Sequence, residues 1–392
     1  MQYRKNKNGT DALSVLGFGC MRFTHKAGSI DQDKAEREMK RALDLGVNYF
    51  DTAYVYPGSE VCLGRFIRRY DCRSSLYIAT KLPHYRVKSG SDFDRYFDEE
   101  CTRLQTDYVD YYLMHMMNDK KSWERLVHLG ILDWIADQKA SGRIRHIGFS
   151  FHGGTKSFQE LLDAYDWDFC QIQFNYMDEH SQAGVEGLNY AGDKGIPVVI
   201  MEPLRGGRLV SLPPKARAEF DRMPQKRSAA EWGLRWIWNH PAVTVVLSGM
   251  NDISQVEENC RIAGESKPNH LSREELAVYP KVLQAIYASQ KVGCTGCNYC
   301  QPCPQGVDIP GCFSTYNNSY ANGFLTGFRE YLMCTVMRKD KTNAGRCIAC
   351  GACERHCPQH IRIRKELQRV RRRFEGPVFQ VGKRIIDLVM RY

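Results

Sequence analysis

No apolar run in the 392-residue chain approaches the roughly 18–20 residues that span a bilayer, so no transmembrane segment is expected. The first ten residues, Met1 to Thr10, lack the apolar core of a secretory signal, and the expected location is therefore cytoplasmic. No Gly-x-Gly-x-x-Gly follows the first strand-like segment, which leaves a doubly wound dinucleotide fold without its fingerprint. Repeats of solenoid period and low-complexity stretches are also missing. Acidic residues are scarce at one end. Positions 338–392 hold 15 Lys and Arg against 5 Asp and Glu, a surplus equal to the +10 of the whole chain, so residues 1–337 are balanced.

What is present is enough chain for one large domain and a smaller one, with a hydrophobic fraction of 43% to supply the cores. The 16 cysteines are unevenly spread, six singly from Cys20 to Cys260 and ten between Cys294 and Cys357. Disulfide frameworks belong to short secreted chains, so tight clustering here points to metal. The scattered six read as buried, inert thiols.

From about residue 12 to 265, short β-rich runs alternate with helical stretches. Strands are predicted at 16–20, 49–51, 76–80, 109–114, 146–150, 169–173, 198–201 and 243–247, and helices between them include 32–45, 123–140 and 229–239. Eight strand–helix units in about 250 residues have the dimensions of a (β/α)8 TIM barrel. The expected division is a barrel over 1–270, a linker helix over 271–292 with Ser272 as N-cap and Glu275 completing the capping box, a cysteine-rich domain over 293–375, and a tail over 376–392. In that tail Val381, Ile385, Leu388 and Val389 would share one helix face.

Polar residues stand at the predicted strand ends, which in such a barrel form the active-site face. They are Asp51 and Tyr56 in Asn48-Tyr-Phe-Asp-Thr-Ala-Tyr-Val-Tyr56, Lys81 in Ile78-Ala-Thr-Lys81, and His115 in Asp110-Tyr-Tyr-Leu-Met-His115. This set resembles the aldo-keto reductase family over roughly residues 12–265, and the family's catalytic tetrad falls on Asp51, Tyr56, Lys81 and His115. The residue types suit carbonyl chemistry. A phenol is a reluctant acid at neutral pH, with an unperturbed pKa near 10. An adjacent ammonium held by a carboxylate favours the phenolate and lowers that value. Tyr56 would then protonate a carbonyl oxygen while hydride reaches carbon, and His115 would steady the developing oxyanion.

The resemblance also implies a nicotinamide cofactor, NADP(H) or NAD(H). Ser150 and Gln171 match its carboxamide contacts. Leu204, Arg205, Gly206 and Gly207, with Ser248 and Gly249, suit a phosphate cradle, and Gln255, Glu258 and Asn259 match the adenosine end. Many relatives carry a Lys where Gly249 stands and an Arg where Gln255 stands. The usual grip on a 2′-phosphate is absent unless Arg205 or Arg208 supplies it, and FMN is an alternative occupant. Phe151 replaces the Asn that typically follows Ser150. The tryptophans Trp232, Trp236 and Trp238, and the pair Met116-Met117, read as packing. Substrate specificity is expected from Tyr54, His84, Tyr85, Trp123 and the loop from His152 to Gly154.

Two cysteine runs carry the second chemistry: Cys294-x2-Cys297-x2-Cys300-x2-Cys303-Pro304 and Cys347-x2-Cys350-x2-Cys353-x3-Cys357-Pro358. Structural zinc prefers Cys pairs separated by a dozen or more residues. The second run resembles the bacterial ferredoxin motif, whose fourth Cys ligates the other cluster. The resemblance implies two [4Fe–4S] clusters, one on Cys294, Cys297, Cys300 and Cys357, the other on Cys347, Cys350, Cys353 and Cys303. The first run has two residues before its last Cys where the motif has three, and Cys312 is an alternative ligand.

The basic end, with Arg362, Arg364, Lys365, Arg369 and Arg371 to Arg373, reads first as a solvated helix face and next as a dock for an acidic ferredoxin or flavodoxin. No interleaved aromatics support nucleic-acid binding. Three functions remain open: an oxidoreductase of a carbonyl/alcohol pair whose clusters serve an external carrier, a carbonyl reductase with structural or redox-sensing clusters, and a non-catalytic platform.

Overall fold

Eight short parallel strands close on themselves in the computed structural model, which describes residues 1–336 and 340–389. They are β1 (Leu16–Gly19), β2 (Tyr49–Asp51), β3 (Tyr77–Leu82), β4 (Val109–Met117), β5 (Ile144–Phe151), β6 (Phe169–Gln173), β7 (Val198–Met201) and β8 (Val243–Ser248). Around the barrel β6 neighbours β7, then β8, then β1 through β5 in sequence, with β5 returning to β6. The helices around them are α1 (Gln32–Asp44), α2 (Ser59–Tyr70), α3 (Ser91–Leu104), α4 (Lys120–His128), α5 (Ile131–Ala140), α6 (Thr155–Leu162) and α7 (Gly184–Asp193). The expected single helix over 123–140 is two: α4 ends at His128, and Gly130 at φ +87° turns the chain before α5. That backbone conformation suits glycine.

Period-two alternation along the strands decides what faces the barrel axis. Tyr49, Ala79, Tyr111, Leu113 and Phe169 pack inward with Val199, Val245 and Leu247. Tyr111 lies 5.3 Å from Tyr49 and 5.0 Å from Phe169, ring centre to ring centre. A Cβ on Gly148 would come within 2.6 Å of the Phe169 carbonyl oxygen, so β5 can lie this close only as glycine. Two residues further along each inward row stand Asp51, Lys81, His115 and Gln171. The opposite faces pack on helices, as Phe50 does on Phe66 of α2 and Tyr112 on Phe97 of α3. This explains strands that are apolar on both sides.

The chain divides into two compact units, Met1–Leu204 with Ala230–Leu271, and Arg205–Ala229 with Ser272–Tyr392. The first unit is therefore discontinuous in sequence. The first unit also contains α9 (Ala229–Trp238) and α10 (Ile253–Glu265); the second contains α8 (Pro214–Asp221) and α11 (Arg273–Ser289). Ser272 and Glu275 form the predicted capping box on α11. This helix is more than a linker, because Phe220 of α8 stacks edge-on against Tyr279, and Arg227 pairs with Glu275 at 2.6 Å.

Beyond it come α12 (Ile309–Ala321), α13 (Phe324–Thr335), α14 (Ala352–Arg355), α15 (Ile363–Phe374) and α16 (Pro377–Val389). Their core gathers Phe313, Tyr316, Tyr331, Leu367, Val370 and Phe374. On α15 the buried Ile363, Leu367, Val370 and Phe374 recur at helical spacing and leave its arginines on the other faces. On α16 Phe379 is buried and Val381 is exposed; the side chains of Ile385, Leu388 and Val389 lie outside the described residues. Among the described residues no helix is long and apolar enough to cross a membrane.

Candidate active site and cysteine cavities

The inward rows of β2, β3, β4 and β6 end on polar side chains that meet. Lys81 Nζ donates to Asp51 Oδ1 and to the Thr52 carbonyl, each at 2.6 Å, and both side chains of the ion pair are buried. Gln171 Nε2 donates to the other Asp51 oxygen at 2.9 Å. The carboxylate is thus fixed from two sides. Lys81 Nζ lies 5.2 Å from the Tyr56 ring centre, and the Tyr56 and His115 rings meet edge to face at 5.8 Å. Burial, followed by the Lys81 charge, pushes the His115 pKa well below the ordinary imidazole value. Burial thus favours the uncharged ring.

His84, after β3, is also buried, and burial lowers its pKa to about 4. A buried neutral histidine binds fewer protons than the unfolded chain, so its stabilisation is present above pH 6.5 and is lost as pH falls toward 4. For a shift of this size the loss reaches about 3 kcal/mol. Urea unfolding midpoints should therefore drop between pH 7.5 and pH 5, and His84→Gln should shrink that drop. An unchanged difference in the variant would assign acid sensitivity to other groups.

The sequence reading missed a buried acidic pair behind Lys81. Thr80 Oγ1 donates to Glu60 Oε1 at 2.6 Å, Tyr112 donates to Glu100 Oε2 at 2.7 Å, and Arg103 reaches Glu60 Oε2 at 3.1 Å. Burial raises the pKa of both carboxyl groups. A signal existed, since Glu100 takes an apolar-periodic position among Phe93, Tyr96, Phe97 and Leu104 of α3.

In the second unit the two Cys runs interleave. One cavity is lined by Cys294, Cys297, Cys300 and Cys357, and the other by Cys303, Cys347, Cys350 and Cys353. Each contains an N–H···S contact of 3.4 Å, from Gly296 N to Cys294 Sγ and from Ala349 N to Cys347 Sγ. Left-handed residues at Gly296, Asn298, Ala349 and Gly351 wrap the backbone round the thiols. Burial pushes the Cys294 and Cys300 thiols up. Among the described residues no three His, Cys, Asp or Glu side chains converge on a single-ion site; the thiols ring a space. Cys312 is buried on α12 and lines neither cavity, its Sγ facing the Thr342 carbonyl at 3.9 Å.

Residues 15–269 match the aldo/keto reductase family. The chain belongs to that family. Residues 293–361 match the 4Fe-4S dicluster domain. Similar proteins include the L-galactose dehydrogenase of Arabidopsis thaliana, 27% identical over 70% of this chain and 92% of that protein. An uncharacterized oxidoreductase of Bacillus subtilis is 26% identical over 74% and 99%. Among solved structures, an aldo-keto reductase from Bacillus halodurans (holo form) superposes with a TM-score of 0.59 at 26% identity, covering 72% of this chain and 96% of that one. An aldo-keto reductase from Klebsiella pneumoniae in complex with NADPH gives 0.58 at 22% identity, over 72% and 95%, a likeness of fold.

The protein is thus an oxidoreductase with an aldo/keto reductase barrel and a dicluster-type domain. Several expected cofactor positions have other partners here. Ser150 Oγ accepts from Met116 N at 2.8 Å, holding Met116 at φ +60° where β4 and β5 slip register. Gln171 is engaged with Asp51. Ser248 Oγ accepts from Asn259 Nδ2 at 3.1 Å, and Gln255 Oε1 accepts from Asn251 N at 3.2 Å. Glu258, beside Asn259 on α10, is half-buried. Leu204 ends a segment of the first unit, while Arg205, Gly206 and Gly207 begin a stretch of the second. Gly206 and Gly207 are exposed with φ +66° and +91°. The Arg205 guanidinium is buried and donates to the Gly293 carbonyl at 3.3 Å.

Trp123 is buried against Tyr165 and Trp167. Of the other specificity candidates, Tyr85 is exposed, His152 is buried 3.2 Å from Gln182, and Tyr54 donates to Glu99 at 2.8 Å. Trp232, Trp236, Trp238 and Met117 are core. A further residue escaped the sequence reading. Arg22, after β1, runs its stem over Gly249, where an added Cβ would stand 3.2 Å from Arg22 Cβ. Arg22 is half-buried and has no acidic partner among the described residues.

Proposed function

We propose that the barrel interconverts a carbonyl and its alcohol with a nicotinamide cofactor, NADP(H) or NAD(H), while the second unit holds two [4Fe–4S] clusters that exchange single electrons with an external carrier. The observation that carries the first half is Lys81, locked between Asp51 and the Thr52 carbonyl beside the Tyr56 ring. Its fixed charge favours phenolate over phenol, so Tyr56 can give its proton to the carbonyl oxygen and take it back in the reverse direction. Neutral His115 donates a hydrogen bond to the same oxygen as charge develops there. Asp51 is held by Lys81 and Gln171 and stays out of the proton path. A bound nicotinamide supplies or removes the hydride at carbon.

For the cofactor phosphates, Arg22 is the available cation. It lies where Gly249 leaves room for it and compensates for the charges absent at Gly249 and Gln255. Arg22→Gln should weaken NADPH binding by about tenfold, the value of one charge-assisted hydrogen bond of about 1.4 kcal/mol, with little change in fold. Fluorescence titration reads this directly, and equal NADPH affinity in the variant would remove Arg22 from the site.

The second half rests on the thiols ringing two cavities, an arrangement suited to cubanes and unlike the point convergence of a zinc site. Cys350 is exposed, which favours single-electron exchange with a carrier over a purely structural role. An acidic ferredoxin or flavodoxin suits the basic end of the chain. The cytoplasm suits both chemistries. A hydride carries two electrons and each cluster one, so a direct path between the two halves would need a group able to handle both, and FMN is the alternative cofactor on that ground. Anaerobic titration with NADPH, NADH and FMN decides between them. Micromolar binding of NADPH or NADH without FMN binding supports this reading; FMN binding alone overturns it.

A further inference from the structure

Outside the barrel wall, one guanidinium joins the loop that carries Tyr56 to the strand that carries Lys81. Arg103 on α3 donates through Nη1 to the Tyr54 carbonyl at 3.2 Å and to Glu60 Oε2 at 3.1 Å. Its Nη2 donates to Glu99 Oε1. The same guanidinium lies 4.3 Å over the Tyr54 ring, and the Tyr54 hydroxyl donates to Glu99 Oε2 at 2.8 Å. Tyr54 is thus held at its backbone, its ring and its hydroxyl by one helix. It stands two residues before Tyr56, in the loop between β2 and α2. A turn from Tyr56 N to the Ala53 carbonyl, 3.0 Å long, joins this anchored stretch to the proton donor.

We propose that Arg103 is a positioning residue that sets the spacing of Tyr56 from Lys81 for proton transfer. The inference rests on the tetrad reading above. The other arm of the strut is Glu60, whose Oε1 accepts from Thr80 Oγ1 at 2.6 Å. Thr80 immediately precedes Lys81, and alternation along β3 faces it outward where Ala79 and Lys81 face the axis. Tyr54, Arg103, Glu60 and Thr80 therefore form a chain of bonds on the helix side of the wall. On the axis side, Lys81 Nζ meets the Thr52 carbonyl at 2.6 Å. Links on both faces of β3 remove the tilt that a single link would leave. Proton transfer and the pull of a fixed charge both weaken with misplacement, so this spacing bears on the rate.

The charge of Arg103 and its shape do separate jobs. Glu60 is buried, and a cation beside it offsets the cost of desolvating its carboxylate. A lysine could supply that charge. The planar fork does more, because it reaches a backbone carbonyl in the loop, a carboxylate on α2 and a carboxylate on α3 at once. A single ammonium lacks that span. Arg103 therefore acts through Tyr54 and Thr80, and not on the reacting atoms.

The test is steady-state carbonyl reduction across pH, beside urea unfolding, on the full-length protein. The variants are Tyr56→Phe, Arg103→Lys, Glu60→Gln and the last two combined. Arg103→Lys keeps a cation beside Glu60, so its unfolding midpoint should stay near wild type. Its kcat should fall about tenfold, with KM and cofactor affinity held. The alkaline limb of its pH profile should move to higher pH, because a phenol farther from Lys81 is harder to ionise. Glu60→Gln offers one accepting oxygen to two donors and should lose a similar factor, with no further fall in the combined variant. A wild-type rate and pH profile in Arg103→Lys overturns the proposal, and so do two losses that simply multiply. A rate that falls only in step with the folded fraction does too, because it leaves Arg103 a structural role. Full turnover in Tyr56→Phe ends the tetrad reading itself, and this inference with it.

Discussion

Replacing Tyr56 by Phe should lower kcat by about 10²–10⁴-fold, the range for a positioned acid–base group, while cofactor affinity and iron content hold. That span corresponds to about 3–5 kcal/mol of transition-state stabilisation. The substitution is clean because the ring contacts remain: the edge contact with His115 and the position beside Lys81 involve the ring, and only the hydroxyl is lost. Lys81→Met should do similar kinetic damage and alter the pH profile. It is the poorer test, since it leaves the buried Asp51 without its cation, and breaking such a pair costs about 3–5 kcal/mol of stability. Stopped-flow measurement on any carbonyl the wild type accepts reads the effect. Near-normal turnover in Tyr56→Phe would end the tetrad mechanism.

Cys353→Ala should halve the iron and sulfide of the anaerobically reconstituted protein, from about eight of each to about four. The interleaving of the two runs sharpens this expectation. Cys353 lines the cavity with Cys303, Cys347 and Cys350, whereas Cys357, four residues on, lines the other. Cys357→Ala should therefore remove the opposite cluster, and the two variants should leave different residual resonance signals. Cys312→Ala should retain full iron, because that thiol lines neither cavity. Stoichiometric zinc with little iron would sink the cluster assignment, and the same residual signal from Cys353→Ala and Cys357→Ala would undo the crossing.

Much of this was legible in one dimension because local rules act along the chain. All eight barrel strands lie where β-rich runs alternate with helical stretches, and α11 begins at the predicted capping box. The inward row of a strand is fixed by period two, so once Tyr49, Ala79 and Tyr111 face the axis, Asp51, Lys81 and His115 must stand on the same side. The two Cys runs are similarly explicit, since spacing and the following Pro are sequence facts. Local pattern failed where a contact links distant segments. Trp123 looked available as a pocket wall and lies in the core with Trp167, forty-odd residues away. Helix α8 and its flanks follow a barrel strand in sequence, yet they pack on α11 and join the second unit.

The sequence by itself determined the barrel, the strand-end positions of Asp51, Lys81 and His115, and the presence of two thiol sets, because each follows from spacing within a single strand, loop or run. Tertiary structure alone decided which thiols share a cavity, that Gln171 braces Asp51, that Arg22 covers Gly249, and that Arg205 donates to the Gly293 carbonyl. The physical reason is one of range. Backbone periodicity orients a side chain relative to its own element, but the partner it meets there depends on how distant elements close around a shared interior. A buried charge such as Lys81 takes its meaning only from what that closure sets beside it.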